Sequence, residues 1–163
     1  MPECTEEQEM RRLMAEYGAR LVGLCTLLLK DADLAQDVTQ ETFIRAWRKG
    51  RLVGETEKAW LTRVAVNLCR DERRSRWFRY VDRRITPEDM PIQADAPKEE
   101  LGLLDRVHRL PVKEREVIVM HYWNDMSPEE IAALLSIDRA TVFRRLARGR
   151  KRLKIELEGG AQE

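Results

Sequence analysis

The sequence is poor in residues that break or staple a chain. Eight glycines and six prolines among 163 residues, with aromatics at 6%, argue against collagen, low-complexity and turn-rich all-β proteins. Its three cysteines, Cys4, Cys25 and Cys69, are odd in number and far apart, with no Cys-x-x-Cys pair. That argues against a disulfide framework or a structural zinc site, and no metal or cofactor is expected. Cys25 and Cys69 fall in apolar periodic stretches and are expected to be buried free thiols. The two histidines, His108 and His121, have no carboxylate or thiol at ligand spacing and read as ordinary helix residues. A Gly-rich phosphate loop, a nucleophile elbow and a His-Glu-x-x-His motif are all missing, so nothing points to an enzyme or to a small-molecule substrate. The longest apolar run, residues 21–29, is nine residues long, whereas a membrane-spanning helix needs about 20. No positive n-region of a secretory signal opens the chain. A soluble cytoplasmic protein is expected.

Net charge is also nearly absent, at +1 from 30 basic and 29 acidic side chains. The total conceals a division. Residues 1–50 carry net −2, residues 51–85 net +5, residues 86–138 net −7 and residues 139–163 net +5. Screening confines each charge to roughly 8–10 Å, so a polyanion responds to the local blocks rather than to their sum. The balanced total therefore does not exclude nucleic acid.

What is present is helical periodicity, in two halves. Over residues 6–30, Met10, Leu13, Met14, Tyr17, Leu21, Leu24 and Leu28 recur at steps of three and four and predict one buried face. Residues 31–33 interrupt this helix and can cap a second one over residues 34–48. There Leu34, Val38 and Ala46 are expected inward and Phe43 and Trp47 form a second apolar ridge, with Gln36, Asp37, Gln40 and Glu41 opposite. A glycine-bounded loop precedes a third helix over residues 58–80, with Trp60, Leu61, Val64, Leu68 and Cys69 on its buried side. Residues 81–99 hold three of the six prolines among Asp and Glu, which is the composition of a linker. Nineteen extended residues reach about 60 Å. The expected fold class is thus all-α: two small helical domains, residues 6–80 and 100–157, joined by a flexible acidic linker.

In the second half, Leu101, Leu104, Val107 and Leu110 share a helical face. Pro111 starts a helix running to about residue 123. Ser127, Pro128 and Glu130 then spell a capping box, with the hydroxyl at the cap, proline at the first position and glutamate at the third. A short apolar helix, the turn at residues 136–138 and a basic helix opening at Arg139, with Val142, Leu146, Leu153 and Leu157 inward, make a helix-turn-helix pattern.

Eight basic residues and no acidic one occupy residues 139–154. A merely solvated face interleaves signs, whereas Arg144 with Arg148 and Arg148 with Arg152 are like-charge pairs one turn apart, each mildly destabilising. A polyanion that supplies the countercharge accounts for them. With the helix N-terminus in the major groove, Arg139, Thr141, Arg144 and Arg145 reach base edges, and Arg148, Arg150, Lys151 and Arg152 meet phosphates. The other basic block differs. Arg70, Arg73, Arg74, Arg76 and Arg79 alternate with Trp77, Phe78 and Tyr80, a composition suited to stacking on exposed bases of opened nucleic acid. Trp77 and Phe78 also read as lids on the domain core.

At this point the chain resembles a known family, the extracytoplasmic-function group of the bacterial sigma-70 factors. Residues 33–47 are similar to its core-polymerase-binding helix, residues 60–67 continuing to Asp71 and Arg74 resemble its promoter −10 helix, and residues 110–153 resemble its fourth region, which reads the −35 element. The resemblance implies that Asp37, Gln40, Glu41, Phe43 and Trp47 grip the clamp helices of the β′ subunit of core RNA polymerase. The β flap and an anti-sigma factor, often membrane-bound in the family, are the other implied protein partners. It further implies that the loop at residues 51–57, including Arg51, receives a flipped −10 base. Asn67 would then meet a base edge, and Arg70, Arg73, Arg74, Arg76 and Trp77 would hold the strand. On the −35 side the implied set is Arg139, Thr141, Arg144, Arg145, Arg148, Lys151 and Arg152.

Two departures from the family pattern stand out: Ala140 where relatives often have Gly, and Arg70 and Arg73 where many have apolar residues. After Leu157 too little chain remains for an appended sensory domain. A conventional dimeric helix-turn-helix regulator explains the second half equally well. It leaves residues 40–47 and the Arg-aromatic block without a purpose.

Overall fold

The computed structural model describes residues 6–50, 56–80 and 102–160, with side chains up to Arg76 in the second stretch and Lys154 in the last. The proposed linker, Arg51, Leu101 and the side chains of Trp77 and Leu157 lie outside the described residues. Helices are α1 (Glu6–Leu29), α2 (Ala32–Lys49), α3 (Glu57–Tyr80), α4 (Leu103–His108), α5 (Val112–Ile118), α6 (Pro128–Leu135) and α7 (Arg139–Gly160), with a π-helical turn at Val119–Trp123. Among the described residues there is no strand, so the chain is all-α as expected. It divides into two compact units, Met1–Arg76 and Trp77–Glu163.

In the first unit, α1 and α2 form an antiparallel hairpin around a very tight corner. Lys30 turns left-handed (φ 57°) and its N–H closes α1 on the Thr26 carbonyl at 2.8 Å. Asp31 is extended and accepts from the Leu34 N–H at 3.0 Å, the N-cap of α2. The last turn of α2 is closed by Gly50, at φ 78°, whose N–H reaches the Ala46 carbonyl. A Thr56 hydroxyl accepts from the Ala59 N–H at 3.1 Å and starts α3. Leu24, Leu28 and Leu61 are fully buried, with Ala65 and Val66 beside them. Each such leucine is worth about 1.5–3 kcal/mol of transfer free energy.

Periodicity located this core with a few errors. Met14 is 49% exposed although it stands two turns from buried Leu21 on the same stripe. Thr39 and Thr42, which the periodicity did not assign, are buried, and each hydroxyl donates to a carbonyl one turn back, Ala35 and Val38, at 2.8 Å. A buried threonine satisfied in this way packs as a small β-branched residue. Cys25 and Cys69 are both buried free thiols in contact with each other, and their hydrogen bond, with one from Thr39, holds the Cys25 thiol below its ordinary value against the opposing effect of burial.

In the second unit, α4, α5 and α6 all pack on α7, α5 most extensively. Leu104 is 49% exposed rather than inward, since α4 is only six residues long and buries its C-terminal end, Val107 and His108. The expected helix over residues 112–123 changes pitch at Val119. The wider π turn accepts the Asn124 N–H on the Val119 carbonyl at 3.2 Å, and it leaves Tyr122 exposed. The His121 Nδ1 lies 2.7 Å from the Met126 carbonyl and so acts as the donor there. Ser127 and Glu130 form both halves of the capping box, at 3.1 and 2.8 Å. Ser136, left-handed at φ 57°, makes the corner of the helix-turn-helix. Gly149 is where α7 crosses α5 most closely: a Cβ there would meet Ile118 Cγ1 at 2.6 Å.

Candidate polymerase and nucleic-acid interfaces

Three helices carry the residues singled out by the sequence. On α2, Asp37 and Gln40 are exposed and Glu41 is half-buried. Asp37 and Gln40 make no side-chain hydrogen bond or ion pair among the described residues, and Glu41 is paired with Arg45 at 3.2 Å. Trp47 is exposed on the same helix. Phe43 requires a correction. It is 5% exposed and belongs to the core, because with Ala35, Val38 and Ala46 it faces inward. It backs the exposed stripe from the core side. In its place stands Ile44, 44% exposed, which sequence reading passed over. Its signal was available: residues 37, 40, 41, 44, 47 and 48 follow steps of three and four on the side of the helix opposite Val38. The result is a mixed acidic and apolar stripe with two large unburied side chains at its C-terminal end.

On α3, Asn67 and Arg74 are exposed, and Arg63, Arg70 and Arg73 are half-buried. Arg74 lies 3.8 Å from Asp71. Arg76 is not simply presented to solvent. Its guanidinium binds the second oxygen of Asp31 at 2.5 Å, so one carboxylate caps α2 and anchors the C-terminal half of α3. The backbone N–H of Leu34 and then Arg76 hold that carboxyl below its ordinary value. Any strand that uses Arg76 must share it with Asp31. At the other end of α3, Glu57 joins Arg12, which also holds Glu9 and Glu16 of its own helix at 2.6 and 2.8 Å. The two contacts fix α3 against the hairpin at both ends.

On α7, the Asp138 side chain accepts from the Thr141 N–H at 2.9 Å. Bonding to Thr141, side chain and then backbone, lowers the Asp138 carboxyl. The cap places the first two turns as the exposed end of the helix. Val142 and Leu146 are fully buried, and the opposite faces carry the cations. Their roles divide. Arg139 pairs with Glu129 of α6 at 2.7 Å and lies over the Phe143 ring at 5.2 Å. Arg150 donates to the Tyr122 hydroxyl at 2.5 Å. Arg152 meets Glu114 of α5 at 3.3 Å. These three tie α7 to its own unit. Arg144 touches the Thr141 hydroxyl at 3.4 Å. Arg145, Arg148 and Lys151 form no ion pair among the described residues. Sequence reading grouped Arg152 with the phosphate ligands, but the neighbouring acid is visible only once α5 is packed. Sequence reading also left out Phe143, which is 44% exposed within this cationic field.

No cluster of three or more His, Cys, Asp or Glu side chains suited to a metal occurs among the described residues, and no described helix is long and apolar enough to cross a membrane.

A helical unit with an acidic-apolar face and an arginine-rich helix, followed by a capped helix-turn-helix whose last helix carries eight cations and no acid over residues 139–154, is the arrangement of a sigma factor. The family comparisons agree: residues 13–79 match Sigma-70 region 2 and residues 101–153 match Sigma-70, region 4. The chain belongs to the sigma-70 family, in its extracytoplasmic-function group. It is 37% identical to the ECF RNA polymerase sigma factor SigL of Mycobacterium tuberculosis, over 95% of this chain and 92% of that protein. It is 29% identical to SigW of Bacillus subtilis, over 86% and 84%. Among solved structures, the sigma factor RpoE of Bartonella quintana, in complex with the anti-sigma factor NepR, shares the fold. The TM-score is 0.70 at 24% identity, over 93% of this chain and 96% of that one. Membership in this group does not favour the reading as a conventional dimeric regulator.

Proposed function

We propose that the first unit binds core RNA polymerase through the α2 stripe of Asp37, Gln40, Glu41, Ile44 and Trp47, and captures the opened −10 strand along α3 with Asn67, Arg70, Arg73 and Arg74. The second unit reads the −35 duplex with the N-terminal turns of α7. In this reading Arg144 and Arg145 meet base edges, and Arg148 and Lys151 meet phosphates. The domains are residues 6–80 and 100–157, with residues 81–99 as the linker. The chain works by binding and strand capture in the cytoplasm, without covalent chemistry, metal or cofactor. The β flap and an anti-sigma factor are further partners proposed on family membership alone.

The observation that carries this reading is the state of the cations on α7. Among the described residues, the unit pairs Arg139, Arg150 and Arg152 from within and gives Arg145, Arg148 and Lys151 no acid. A self-contained domain gains nothing from such a row, whereas a phosphate backbone supplies its countercharge. Run-off transcription with purified core polymerase on genomic templates is the test. Discrete promoter-dependent starts that require the chain are expected, and core polymerase that gains none refutes the assignment.

A further inference from the structure

Phe143 is a large apolar side chain left exposed on the basic helix α7. Val142 and Leu146 already fill the contact between α7 and its unit, both at 0% exposure, while the Phe143 ring stands 44% exposed. The ring touches a cation, the Arg139 guanidinium at 5.2 Å, itself held by Glu129. That contact covers part of the ring and limits its swing. Arg144 follows it, and the residues one turn away on its outer side, Ala140 and Ala147, are small and exposed. A large apolar group is therefore carried at the front of a basic helix, between side chains too short to shield it.

Its surroundings select the occupant. A protein or lipid partner that buries the ring would have to accept a helix with eight cations and no acid over residues 139–154, so the matching surface is a polyanion. The major groove of duplex DNA offers one sizeable apolar group, the C5-methyl of thymine; every other edge feature there is a hydrogen-bond donor or acceptor. Phe143 sits in the second turn from the capped N-terminus of α7, the part that faces base edges in such a docking.

We infer that Phe143 is a specificity-determining residue that reads a thymine methyl within the −35 element, its ring steadied by Arg139. The inference rests on the assignment of α7 as the −35 reader and adds to it a base preference at one position. Arginines alone favour guanine edges; the ring adds a thymine.

The test uses the full chain with core RNA polymerase on a promoter found by run-off transcription, its −35 window randomised. The wild-type holoenzyme is expected to select thymine at one position. Replacing that thymine by deoxyuridine, which removes only the methyl, is expected to weaken binding about fourfold, the worth of one buried methyl-sized group. Phe143→Ala is expected to bind the two probes equally, and Phe143→Leu to retain part of the difference. Equal binding of the thymine and deoxyuridine probes by wild type overturns the inference without any variant, as does a full difference retained by Phe143→Ala. A wild-type holoenzyme that selects no sequence in the window refutes the assignment of α7 itself, and the role of Phe143 with it.

Discussion

The two basic helices achieve positive charge by opposite means. The C-terminal half of α3 interleaves its arginines with Asp71 and Glu72 and ties Arg76 to the α2 cap. Helix α7 has no acid of its own over residues 139–154 and draws countercharge from its neighbours, Glu129 on α6 and Glu114 on α5. The difference matters because the two proposed targets differ. An opened strand is flexible and is held by stacking and scattered charge. A duplex groove presents regularly spaced phosphates to one rigid helix, and a dense row of uncompensated cations suits it. Cross-helix pairing also lets α7 tolerate its own repulsion. Each like-charge pair one turn apart costs only a few tenths of a kcal/mol, well below what its packed face contributes.

Charge reversal on the first unit divides the comparison most sharply. Asp37→Arg is expected to weaken association with core polymerase by about a hundredfold or more, since like-charge contact at an interface costs several kcal/mol. The affinity of the full chain for a −35 duplex should not change, and a co-sedimentation assay beside DNA titration separates the two. Arg144→Ala on the second unit is expected to cost about 1–3 kcal/mol and to relax preference at one base pair, measured by competition among single-base variants of the site. If all sequences lose equally, the helix is docked in another orientation.

Smaller effects probe how each helix is held. At Gly149, alanine gains up to about 1 kcal/mol of helix propensity but forces Ile118, itself core, to move at a cost of about 1–3 kcal/mol. A net loss of about 1–2 kcal/mol confined to the second unit is expected in urea unfolding. Asp31 supplies the equivalent test on the first unit. Its carboxyl is lowered in the folded state, so its stabilisation is full above the ordinary carboxyl range and is lost as pH falls through the folded value. Asp31→Asn keeps an acceptor for the cap and loses the pair with Arg76. It is expected to cost about 1 kcal/mol or less at neutral pH and to flatten the acid side of the first unit's stability profile. Lys151→Ala is expected to be the mildest change, weakening all DNA alike and reducing the salt slope by about one. A sequence-dependent loss there would move Lys151 to the base-reading set.

Much of the fold was legible because helical period and caps are local. Asp31, Ser127 and Glu130 cap as their spacing implies, and the buried leucines of α1 fall on the expected stripe. Errors came where a neighbour decides. Met14 and Leu104 satisfy the period yet stay exposed, since a stripe has edges and only the packed partner shows where it ends. Phe43 and Ile44 exchange roles for the same reason: both are apolar, adjacent and on α2, and the position of α1 settles which of them is core.

Sequence alone determined the all-α class, the helix-turn-helix and the placement of charge along the chain, because each depends on residues within a turn or two of one another. Tertiary structure decided which cations are committed. The pairing of Arg76 with Asp31, and of Arg152 with Glu114, joins residues 45 and 38 positions apart in the chain. It likewise decided that Phe143 stays 44% exposed beside Arg139. Periodicity states which way a side chain points along its own helix; whether another helix stands there is fixed only when the chain has packed.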